Sequence, residues 1–125
     1  MKLTLFGIAA LYLLTAVYMF VAPQAFYDHT PGVAMMGPFN THFIRDAGLA
    51  FLTSGGALLW GTLNQNRAVA VFGAVWPCLH AAFHVWIWVA RGFPFDHIAL
   101  VNLVGIQLPA WIALFAATKL QGKVQ

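Results

Sequence analysis

The chain has 125 residues, of which 62% are hydrophobic and 7% charged, with a net charge of +3. Such a length sets one domain, residues 1–125, as the ceiling, and so little charge cannot keep a soluble surface wet. The positive excess is scattered over Lys2, Arg67, Lys119 and Lys123, with no basic patch to track phosphates, which excludes nucleic acid as a partner and leaves the lipid bilayer.

The first apolar run, about 3–22, is closed by Pro23. Its core is too long for a secretory signal segment and small residues do not fall in a cleavage frame, so it reads as a retained membrane span. The stretch 23–41 follows as a long loop carrying Pro31, Gly32, Gly37 and Pro38. Long loops on small proteins tend to be functional, and this one is a candidate lid. The second run, about 42–63, is entered through "FNT", in which Asn40 or Thr41 can cap a helix. The tight polar turn "NQNR" leads to the third run, about 67–90, and "ARGFPFDH" to the fourth, about 97–119. Each run approaches the roughly 20 residues that a helix needs to cross hydrocarbon. Helices are expected because lipid offers no partner to backbone groups. The predicted fold is therefore an all-α four-helix transmembrane bundle.

Lys2, Arg67, Lys119 and Lys123 collect on one side, and Arg45 and Arg91 with Asp28, Asp46 and Asp96 on the other. The positive-inside rule then places both termini in the cytoplasm of a multi-pass inner-membrane protein.

All five histidines fall in the outer half on this reading. His42 and Asp46 are four apart on the second helix, as are His80 and His84 on the third, so each pair shares a helix face. At a rise of about 1.5 Å per residue their depths overlap. Facing helices of a bundle build metal sites in this way. One reading is a metal site with His42, Asp46, His80, His84 and His97 as ligands, a donor set suited to zinc, iron or copper. The metal would act as Lewis acid or electron carrier, for redox chemistry or metal handling. A second reading is haem, with one or two histidines as axial ligands and Phe83, Trp86 and Trp88 beside the macrocycle. A third is a hydrogen-bonded network that only fixes helix register. A proton or small-solute path along the same histidines is a further alternative.

Arg45, next to Asp46, either snorkels to headgroups or pairs with a carboxylate. Asn102 and Gln107 are five apart, which separates them by about 140° on an α-helix. One is expected behind a ligand imidazole and the other as interhelical glue. Pro77 and Pro109 each remove an N–H inside a helix, and a kink at Pro77 would open room near His80. His29 with Met35 and Met36 forms a possible soft-ligand set on the outer loop. The one cysteine, Cys78, reads as a buried small hydrophobe. The aromatic third run would also serve as a docking face in a homo-oligomer or a larger membrane complex.

The run "PGV…GPFNTHFIRDAGLAFL", after "APQAFYD", resembles an uncharacterised family of small bacterial four-helix membrane proteins. Its sharpest part is Gly37 to Gly48. More distantly, the layout is similar to the DoxX-like group, whose members include quinone-linked oxidoreductase subunits. The resemblance implies a fold and no reaction. The chain lacks the cysteine pairs of the thiol-handling members, which argues against a disulfide relay.

Overall fold

The structure, a computed structural model, describes residues 1–121 of the chain; Lys123, one of the charges used above for orientation, lies outside the described residues. All regular structure among the described residues is helical. Helix α1 spans Lys2–Val21, a short α2 spans Pro23–His29, α3 spans Thr41–Leu63 and α4 spans Arg67–Ala90. The last column is composite: α5 (His97–Asn102) runs through a π-helical turn (Leu103–Gln107) into α6 (Leu108–Thr118). Three of these columns, Lys2–Val21, Arg67–Ala90 and His97–Thr118, are long and apolar enough to cross a membrane.

Helix α3 is long but less apolar. It carries His42, Arg45, Asp46, Thr53, Ser54 and Thr62 among its glycines. Its packing explains why this is tolerated: α3 makes the most extensive contacts of any helix, with α1 on one side and α4 on the other. Small residues set those distances. A Cβ on Gly55 would sit 3.1 Å from the Ala9 carbonyl oxygen of α1. A Cβ on Gly61 would sit 2.6 Å from the Ala70 nitrogen of α4, so the two backbones touch. In lipid, where apolar burial drives little association, such close approach supplies much of the attraction.

The helix starts follow local chemistry. Asn40 caps α3, its side-chain oxygen accepting from the Phe43 N–H at 3.0 Å. Asn66 caps α4 through the Val69 N–H at 3.1 Å. Both satisfy amides that a helix N-terminus leaves orphaned. Gln65, in the tight turn between them, takes a positive φ of 53°. The region 23–41, expected as a loop, is partly helical. Helix α1 ends at Val21, just before Pro23 as expected, and Pro23 itself sits in the first turn of α2, where its missing N–H costs nothing. A 3-10 turn, Ala34–Met36, follows. Tyr27 pins this segment by donating from Oη to the Gly37 carbonyl at 2.8 Å.

The molecule has a closed end and an open end. The closed end is an alanine-rich core of Leu5, Ala9, Leu58, Ala70, Ala113 and Ala117, drawn from all four columns. Lys2, Arg67 and Lys119 belong to the helix termini at this end. At the other end α5 makes no extensive contact with α1 or α3, and the bundle parts into a groove. Much of the remaining surface is apolar: Leu3, Val21, Phe72 and Phe95 are largely exposed. Apolar surface on this scale is unfit for water and suits lipid. The protein is a membrane-embedded helical protein.

The turn into α5 is held outside the spans. Trp88 donates from its indole to the Pro94 carbonyl at 2.9 Å, and Arg91 pairs with Asp96. Asp96 also caps α5 by accepting from the Ala99 N–H at 2.8 Å. The Ala99 amide, with the Arg91 guanidinium, holds the Asp96 carboxyl below its usual range. A carboxyl depressed by folding adds stability that is complete above its unfolded value and lost as pH falls through the folded one. Thermal stability should therefore decline on acidification through that window. In Asp96→Asn, which keeps a capping oxygen, this acid limb should disappear from melting curves taken against pH.

Candidate functional site

The groove has a volume of about 1270 Å³ and is walled by α1 and α3 on one side and α4 and α5 on the other. Its lining is overwhelmingly apolar, with Phe43, Ala47 and Phe51 forming the α3 wall. The open end is bordered by the segment around Pro31 to Pro38, including Met35 and Met36. That segment leans on α5: a Cβ at Gly32, which has φ +91°, would come within 3.0 Å of Ile98. The sequence-based expectation of a loop over the site thus corresponds to a segment at the groove's rim.

Into this apolar space α4 presents two imidazoles. His80 and His84 are half-buried, and their ring centroids lie 4.5 Å apart in an edge arrangement. Trp76, one helical turn before His80, stacks on it at 5.0 Å with planes 10° apart. Phe51 of α3 meets both Trp76 and His80 edge-on, at 4.9 and 6.0 Å. Residues 76, 80 and 84 share a helix face because they repeat every four positions. The ladder orients the imidazoles and limits their rotation.

Asn102 of α5 lines the groove with His84; its amide nitrogen donates to the Ile98 carbonyl at 2.9 Å, and its buried Oδ1 has no hydrogen-bond partner among the described residues. Gln107 donates to the Ala81 carbonyl of α4 at 2.7 Å and accepts from the Trp111 indole at 3.0 Å. The sequence reading separated Asn102 and Gln107 by 140° and gave them opposed directions. Both face α4. The reason is the π turn between them, in which residues five apart stack over one another.

The other expected ligands lie elsewhere. His42 Nδ1 pairs with Asp46 Oδ2 at 2.8 Å, with the side chains 85% and 60% exposed. Each precedes a groove-facing residue, Phe43 or Ala47, by one position, which turns it about 100° away round the helix. His97 is exposed and lines the groove at its rim. His29 donates from Nδ1 to the Ala25 carbonyl of its own helix at 2.9 Å. Arg45 donates to the Phe20 carbonyl at the end of α1 at 3.2 Å, with its guanidinium 5.3 Å from the Phe20 ring centre. It closes the α1 terminus and does not pair with Asp46. The expected gathering of His42, Asp46, His80, His84 and His97 is replaced by two separate pairs. Among the described residues no group of three or more His, Cys, Asp or Glu is placed to hold a metal.

Sequence reasoning passed over Tyr12, Phe51 and Trp76. The last was legible as the residue four before His80. Tyr12 and Phe51 belong to other helices, and only packing brings them here. No protein-family model, curated protein or solved structure matches the chain.

Proposed function

We propose that the protein binds a lipophilic molecule in this groove, its tail among the apolar walls and its small polar head, a ring bearing carbonyl or hydroxyl groups, against His80, His84 and Asn102. Membrane quinones belong to that chemical class. The observation that carries the reading is a large, mostly apolar groove with the paired imidazoles of His80 and His84 on its α4 wall, the usual build of a small-molecule site. The helix columns, α3 included, are read as four spans, with both termini cytoplasmic and the groove in the outer half of a bacterial inner membrane. The alignment of Lys2, Arg67 and Lys119 at the closed end supports that orientation. Kinship with the small four-helix family, and with DoxX-like proteins beyond it, is part of the same proposal and is carried by the residues 37–48.

The transition-metal reading now has two protein imidazoles to build on, whereas zinc, iron and copper sites take three or four protein donors. It requires donors from the bound molecule itself. A haem held between the two histidines does not fit, since no macrocycle passes between rings 4.5 Å apart. A single axial imidazole is the form of that alternative to test.

One preparation separates these readings. Protein purified in mild detergent is extracted with organic solvent for mass spectrometry, and assayed for metals and for a Soret band. The groove reading expects a stoichiometric ring-headed lipid, with metal well below one per chain. Stoichiometric metal or a Soret band with no such lipid would replace it.

A further inference from the structure

Of the seams between the helix columns, one stays open. Helices α1 and α3, α3 and α4, and α4 and α6 pack extensively, whereas the last column reaches α1 chiefly through α6. That contact lies in the alanine core of the closed end, where Leu5 and Ala9 join Ala113, Ala116 and Ala117. Above it stands α5, which has no buried residue and no extensive contact with any of the long helices. Toward α4 it is tied at both ends, by Trp88 to Pro94 and Arg91 to Asp96 above and by Gln107 to Ala81 below. Toward α1 no hydrogen bond or ion pair ties it among the described residues. The gap has definite edges. At its head Ile98 closes on Gly32 of the rim segment. At its foot Tyr12 and Gly105 line one small recess of the groove together. Ile98 and Gly105 are seven residues apart, which makes the gap roughly 10 Å tall.

We propose that this gap is a window onto the bilayer, and that the tail of the groove's occupant leaves through it while the head stays inside against the imidazoles. The window presupposes the lipid reading of the groove and gives that lipid a route and a tail. Its sides are apolar. Leu11 of α1, with Leu100 and Leu103 of the last column, lines the groove and is about half exposed, as they are, so these side chains border the groove and the outside at once. They continue into the lipid-facing surface, since Leu14 and Val17 on α1 and Val104 beside Leu103 are exposed as well. A hydrocarbon chain passing there trades one apolar contact for another, and a hydrated group gains nothing. The open end offers the other route. An occupant using it passes a polar rim that includes Asn40, Arg91, Asp96 and His97, where an apolar tail loses its lipid contacts. A tail that reaches lipid through the window outreaches the groove, so the fitting class is a ring-headed lipid with a long alkyl or isoprenoid chain.

The test compares a short-tailed with a long-tailed benzoquinone on protein in lipid nanodiscs, with bound ligand counted by native mass spectrometry. Wild type should bind both; binding of neither would overturn the lipid groove itself, and the window with it. Leu11→Trp and Leu100→Trp narrow the window from either side. Each should weaken the long-tailed ligand roughly tenfold, the loss of about two buried methylenes, and leave the short-tailed one within about twofold of wild type. Equal effects on the two ligands, or no effect on either, overturn the window while the groove stands. If these variants do not fold, the wild-type protein decides. A benzoquinone carrying a diazirine at the end of its long tail is photolysed in place and its adducts are mapped by peptide mass spectrometry. Adducts on Leu11 to Val17 and on Leu100 to Val104 support the window. Adducts confined to Phe43 and Phe83 on the α3 and α4 walls, or to Met35 and Met36 at the rim, overturn it.

Discussion

Gly61→Ala should destabilise the protein although it adds a single methyl group and improves helix propensity. The new Cβ would lie 2.6 Å from the Ala70 nitrogen, 2.9 Å from its Cα and 3.0 Å from its Cβ. Backbone atoms cannot swing aside as a side chain can, so α3 and α4 must separate along their crossing. Overpacking of this kind costs about 1–3 kcal/mol. The gain from replacing a helical glycine by alanine, roughly 0.5–1 kcal/mol, offsets only part of it. Gly61→Leu should separate the helices altogether. Gly56 is the internal control, because a Cβ there meets nothing within 4 Å. Unfolding in graded SDS should rank Gly56→Ala with or above wild type, Gly61→Ala below it and Gly61→Leu last. Equal stability of Gly56→Ala and Gly61→Ala would refute close backbone packing as the tie between these helices.

Binding of a short-tailed benzoquinone, followed by quenching of tryptophan fluorescence, should weaken in both His80→Ala and His84→Ala. Trp76 stacks on His80 and provides a reporter within van der Waals reach of the site. Loss of one hydrogen bond to a head group costs about 0.5–1.5 kcal/mol, which is roughly 2- to 10-fold in affinity. The double variant should lose more than either single one. Ala47→Trp, which sets an indole into the α3 wall, should abolish binding outright by filling the space that the tail would occupy. His42→Ala should bind as wild type, because His42 is exposed and turned off the groove. A loss in His42→Ala equal to that in His84→Ala would return the site to the His42–Asp46 pair.

The contrast between those two pairs shows how far linear spacing reaches. Within one helix it was sufficient. His42 with Asp46, and His80 with His84, meet as their separation of four requires. The capping residues Asn40 and Asn66 act through bonds to amides three residues away, and are equally local. Between helices, spacing and depth say nothing about rotation. His42 and His80 could share a level and still point apart, since each helix turns to bury its own small-residue face: Gly48 and Gly55 toward α1, Gly61 toward α4. The π turn is a second case. Five residues between Asn102 and Gln107 imply divergence on an α-helix and alignment on a π turn, and the choice follows from Pro109 and the docking of Gln107 on Ala81.

The sequence by itself determined the solvent, because a chain this apolar must satisfy its backbone within helices and turn its side chains to lipid. It also determined where those helices begin, through caps and turns that depend only on neighbours. The tertiary structure alone decided that one end packs shut on alanines while the other parts around two imidazoles. It decided as well that Tyr12, far from His80 along the chain, lies under it. The physical reason is that helix rotation and splay are set by the sum of many small contacts between distant segments, and no local pattern encodes that sum.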